Sequence, residues 1–252
     1  PQTDGSHHFH PTSSLDTAIA LYNFDRRLRL LVMDAIERME VSLKGRWAHT
    51  LAQRYGSHAY LRSDIHDNEG HYSRCRSDLE EEVSRSNETF VEHYRGKYTL
   101  PALPPIWAVS EVMSLGLFSR WYDNLKFRTD RKAVAETYSL DETILASFLH
   151  HITHVRNISA HHCRLWNRRF VVTMRVPKSR PYHVVSSFNG GAPRQLYNTL
   201  TMMAHMLAVI APDSTWAKRV ARLITHTAAI DPRSMGFPDD WQTRGMWRGV
   251  VE

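Results

Sequence analysis

Cysteine is scarce: Cys75 and Cys163 are the two in 252 residues, so at most one disulfide can form and a cysteine-stapled secreted scaffold is excluded. Long apolar runs are missing as well. The run 202–210 carries His205 and stops before Pro212, well short of the ~18 apolar residues that a membrane span needs. No basic-plus-apolar leader stands at the front, and a cytoplasmic chain with no membrane partner is expected. Disorder is excluded by composition, because 42% hydrophobic and 23% charged residues at this length are enough for one buried core.

The most informative absence is local. Between Glu142 and Asp213 there is no acidic residue, while Arg156, Arg164, Arg168, Arg169, Arg175, Lys178, Arg180 and Arg194 all fall there. This stretch therefore carries +8 in a chain whose net charge is +6, and the remainder sums to −2. A polyanion is the partner such a segment suits, since cations that neutralise phosphates release their counterions. A solvated basic face is the plainer meaning of the same charge.

Periodicity predicts helices nearly throughout. Apolar positions from Phe24 to Leu51 recur three or four apart, the stripe of a long amphipathic helix, with Ser13, Ser14 or Asp16 capping it or a short helix before it and Gly56 just past its end. Residues 64–95 read as a solvent-facing helix ending near Gly96. Pro101, Pro104 and Pro105 break the chain, and a second apolar helix over 106–125 is expected to be interrupted at Gly116. Ser139 or Asp141 caps a helix that begins with Ile144 and runs past His154. Residues 171–194 read as an irregular connector or a short hairpin. Helices over 196–210 and 213–229 follow, then a tail over 231–252 docked by Trp241 and Trp247. The expectation is an all-α fold, one domain over 1–252 with a flexible start over 1–12.

Chemistry concentrates in 150–168. Continuing the apolar register Ile144, Phe148, Ile152, Val155 reaches Ser159, His162 and Trp166, so His162 is expected to point inward. Asn157, His161, Arg164 and Arg168 then share the opposite face. Arg156 lies five residues before His161, about 140° around an ideal helix, so joint action on one phosphate requires a reach, a distortion or a second subunit. A guanidinium beside an imidazole with no carboxylate near suits phosphodiester cleavage. RNA is the easier substrate, because its 2′-hydroxyl is a built-in nucleophile.

The run Arg156-Asn157-Ile158-Ser159-Ala160-His161 resembles the Arg-x4-His signature of HEPN ribonucleases. Extended to Arg168, it is similar to the hallmark of bacterial abortive-infection proteins of the AbiD/AbiF type, and the blocks 21–46, 103–125 and 235–241 resemble the same family in the same order. The resemblance implies a HEPN-like helical bundle and RNA cleavage that leaves a cyclic phosphate, without a metal or other cofactor. It also implies toxicity to the infected cell as a phage defence. It assigns Arg156 and His161 to catalysis with Asn157 beside them, and places His162, Arg164, Asn167, Arg168 and the neighbouring Arg169 on the RNA. A homodimer sharing one cleft is implied, as is a small noncoding RNA as antitoxin. A non-catalytic RNA-binding or interaction module is the alternative.

Other patterns carry less. His150 and His154 have the i, i+4 spacing of a metal clasp but no third ligand nearby. His7, His8 and His10 read as part of a flexible terminus. Arg26, Arg27 and Arg29 beside Asp25 and Asp34 read as salt-bridged helix surface, with the far wall of an RNA groove as the other meaning. Trp107, Trp121 and the methionines Met202, Met203 and Met206 read as core.

Overall fold

The computed structural model describes residues 14–250, and the start expected over 1–12 lies outside them, as do the last two residues of the tail. Among the described residues the elements are ten α-helices and five short 3-10 turns, with no strand, so the fold is all-α. Its axis is α1, Leu15–Tyr55, a helix about 60 Å long at 1.5 Å per residue. Ser14 begins it by accepting the Thr17 N–H at 3.1 Å, and Gly56, at φ 90, ends it where a side chain would be strained. Phe24, Leu28, Val32, Ala35, Ile36, Met39, Leu43, Trp47 and Leu51 are buried, as their spacing requires; among the described residues none before Phe24 is.

Around α1 pack α4 (Ile106–Val112), α5 (Leu115–Asp123), α6 (Arg128–Ala135), α7 (Glu142–Ala160), α9 (Leu196–Ile210) and α10 (Trp216–Thr225). Three expectations need correction. The polar stretch 64–95 is not one solvent-facing helix but α2 (Glu69–Arg85) and α3 (Thr89–Lys97), and α2 buries Tyr72, Cys75, Leu79 and Val83 at helical spacing. The break in 106–125 comes at Met113–Ser114 rather than at Gly116, because Ser114 caps α5 while donating its N–H and hydroxyl to Glu82 of α2 at 2.8 and 2.7 Å. The last helix is α10 alone, shorter than the expected 213–229.

The connector after α7 is irregular, containing only the single-turn α8 (Tyr182–Val185), and no hairpin forms. Two ties hold it. The buried His151 of α7 bridges the Val172 carbonyl and the Thr199 hydroxyl, both at 2.8 Å. The tail closes over it from the other side, with Trp247 at 0% exposure donating its indole N–H to Thr201 at 3.1 Å and Arg244 donating to the Phe188 carbonyl. No helix of the described residues is long and apolar enough to cross a membrane.

Candidate functional site

The site begins with why α7 stops where it does. Asp141 caps its start by accepting the Thr143 N–H at 2.9 Å, and Leu145, Phe148, Leu149, Ile152 and Val155 hold its inner face in the core. The helical pattern in the sequence continues to Trp166; the helix does not. After Ala160 the chain turns: His162 sits at φ 57, its N–H donates to the Ser159 carbonyl, and the Cys163 N–H reaches back to Ile158 at 3.0 Å. This pair of bonds is the Schellman stop, with a histidine in the left-handed position where glycine is usual.

What stabilises the stop is a contact that spans the chain. Asp25 of α1 is buried, and one of its carboxylate oxygens accepts the N–H groups of Leu165 and Trp166 at 2.8 and 2.6 Å. Its other oxygen pairs with Arg29 at 3.0 Å, and Arg29 in turn lies 3.4 Å from Nδ1 of His162. Leu165 is fully buried beneath this clamp. Asp25 and Arg29 thus order the segment that follows His161, a role the sequence reading missed when it grouped them as helix-surface charges.

The early stop corrects two expectations. His162 does not point inward but is exposed, because its residue is in the turn and not on the helix. Asn157, His161, Arg164 and Arg168 do not share a helical face, since only Asn157 is within α7. His161 is the C-cap, its N–H donating to the Asn157 carbonyl at 3.0 Å, while the Asn157 side chain accepts from Arg156 at 3.3 Å. The Asn157 side chain thus touches Arg156, while its bond to His161 is the backbone bond of the last helical turn, and Arg156, Asn157 and His161 are all solvent-exposed. Beyond them Arg164 stacks over Trp166 at 5.7 Å, Arg168 donates to the Arg164 carbonyl, and Asn167 takes a second left-handed conformation at φ 49. Arg169 stands exposed.

Charge around the site is divided. None of the eight cations in the acid-free stretch makes an ion pair among the described residues, although fourteen such pairs form elsewhere. Burial, together with Arg168 and His150, lowers the basicity of His154 on the same helix. The expectation of no carboxylate near Arg156, however, fails. A groove of about 590 Å³ runs along α1 from Leu30 to Lys44, closed by Glu111 of α4 and Arg156 of α7, and Asp34, Glu37 and Glu40 line it too. Acidic residues absent from the surrounding sequence are brought there by the packing of α1 and α4 on α7.

No curated protein and no solved structure matches the chain. A family model described as "Abi-like protein" matches residues 2–167, which spans α1 through α7 and ends within the turn that Asp25 holds. That is well over half of the sequence, and the chain belongs to the family of Abi-like proteins.

Proposed function

We propose that this chain is an endoribonuclease toxin of HEPN type and AbiD/AbiF kinship, acting in the bacterial cytoplasm as a phage defence by abortive infection. Membership of the Abi-like family supports the defence role. The observation that carries the chemistry is that Arg156 and His161 both face solvent at the end of α7, with the Asn157 side chain accepting from Arg156, in a stretch whose eight cations, Arg156 among them, make no ion pair among the described residues. In this reading the 2′-oxygen of a ribose attacks the adjacent phosphorus, the bond from phosphorus to the 5′-oxygen breaks, and a 2′,3′-cyclic phosphate and a 5′-hydroxyl result. His161 moves a proton, off the 2′-hydroxyl or onto the leaving 5′-oxygen. Arg156 holds the charge that grows on the phosphoryl oxygens, and Asn157 orients its guanidinium. No cofactor has a role in these steps. His162, Arg164, Asn167, Arg168 and Arg169 track the RNA backbone. Two copies share one cleft, and a small noncoding RNA on the same basic face acts as the antitoxin.

The test is RNA cleavage and growth arrest by purified or expressed Arg156→Ala and His161→Ala proteins. Each is expected to lose at least about a hundredfold in cleavage rate, and, because both side chains are exposed, to keep stability within about 0.5 kcal/mol of the parent. Folded variants that still cleave at the parent's rate would overturn the assignment. The carboxylates beside Arg156 favour a second reading, a module that binds RNA without cutting it, which retention of RNA by a parent with no cleavage would support.

A further inference from the structure

The solvent face of α1 is apolar where a lone helix should be polar. Leu15, Ile19, Tyr22, Leu30 and Val41 are 75, 49, 66, 58 and 64% exposed. With Arg26, Met33 and Glu37 they recur at steps of four, three, four, four, three, four and four, inside about 100° of arc on one side of the helix. Arg26 and Glu37 are exposed and, among the described residues, have no ion-pair partner, whereas Asp34 pairs with Arg38 and Arg219, and Glu40 with Lys44. Trp107 of α4 adds a 55% exposed indole one turn before Glu111 at the groove's edge.

From Tyr22 to Val41 the spacing of these residues is the same read backwards, with the charge inverted. About a midpoint between Leu31 and Val32, Leu30 mirrors Met33, Arg26 mirrors Glu37 and Tyr22 mirrors Val41. Laid antiparallel on a second copy, the face meets apolar residue with apolar residue and cation with anion. That is the self-complementarity a two-fold interface demands, residue i on j and j on i. A parallel pairing would instead set Arg26 on Arg26 and Glu37 on Glu37.

We infer that the exposed stripe of α1 from Tyr22 to Val41 is the docking surface for a second copy of this chain, joined antiparallel about a two-fold axis between Leu31 and Val32. The inference rests on the pairing of two copies proposed above and gives it a surface and a register. Leu30, Met33, Glu37 and Val41 of the stripe also form one wall of the groove that Arg156 closes, so a docked copy covers that wall and sets its Arg26 against the groove's Glu37.

Analytical ultracentrifugation of Arg26→Glu, Glu37→Arg and the double R26E/E37R variant tests it, with circular dichroism to show that each is folded. Each single variant is expected to weaken the parent dimer about a hundredfold, tenfold for each of the two symmetry-related contacts. The double variant is expected to dimerise again. So is an equal mixture of the two singles, which forms a heterodimer because one chain then offers two anions and the other two cations. A dimer that neither single variant weakens, or that neither the double variant nor the mixture restores, overturns this surface and leaves pairing of copies intact. A parent that is monomeric overturns both. None of these readouts depends on RNA cleavage.

Discussion

Asp25 is the side chain on which the order of the candidate site depends. A carboxylate that is buried is tolerated only when its oxygens are filled, and here two backbone N–H groups and a guanidinium fill them. Asp25→Ala leaves Arg29 without its counter-charge and two donors without an acceptor. It is expected to destabilise the fold by about 3 kcal/mol in chemical denaturation. Asp25→Asn, which keeps one acceptor oxygen, should recover part of that loss. Amide exchange at Leu165 and Trp166 should quicken most in the alanine variant, and an unchanged exchange rate at those two amides would refute the clamp. Arg156, Asn157 and His161 were legible in the sequence as a short motif. Asp25 was not, since its partners lie 140 and 141 residues away and a single buried acid in a charged helix looks like any surface ion pair.

At the level of elements, helical spacing located α1, α7 and α9 because each buries an unbroken stripe against several neighbours. What spacing could not locate was where a helix stops when its apolar rhythm goes on. The rhythm sets Trp166 inward, yet the residue buried there is Leu165, which reaches the core from a turn and not from a further turn of α7. The stop is made with His162 in a conformation that costs a side-chain-bearing residue about 1 kcal/mol. His162→Gly is therefore expected to raise the unfolding free energy by up to about 1 kcal/mol, reduced by whatever the contact with Arg29 contributes. A thermal midpoint that falls instead would mean that the His162 ring is worth more than the strain. The same limit explains the division of 64–95 and the break at Ser114. Both depend on partners, the core under α2 and Glu82, that no local window contains.

For the molecule as a whole, buried histidines weaken it in acid, and His66 and His151 carry the largest shifts. Burial holds His66 and His151 down at about 4, the first stacked 4.7 Å from Tyr72 and the second held between α9 and the connector. In the unfolded chain both titrate near 6.5. Above that pH both states are neutral and stability is full; as pH falls from 6.5 towards 4 the unfolded chain takes up protons that the fold refuses, and stability drops. Each contributes roughly 3 kcal/mol to that drop. His66→Phe, which keeps a flat ring against Tyr72 and Trp121, is expected to remove its own share of the fall, measured as the urea midpoint across this range. The remainder should stay with His151 and with His205 and His154, which burial also makes less basic.

The matched family stretch ends at residue 167, but α1 does not finish its packing there. Trp216 of α10 is buried and donates its indole N–H to the Leu31 carbonyl in the middle of α1 at 2.7 Å, and α9 lies along the same helix. A shortened gene product that kept only the homologous portion would strip these helices away, baring a greasy flank opposite the stripe that Tyr22 and Leu30 already show to water. Such a fragment should clump when overproduced, because the segment downstream of the recognisable motif is what shields that flank from water.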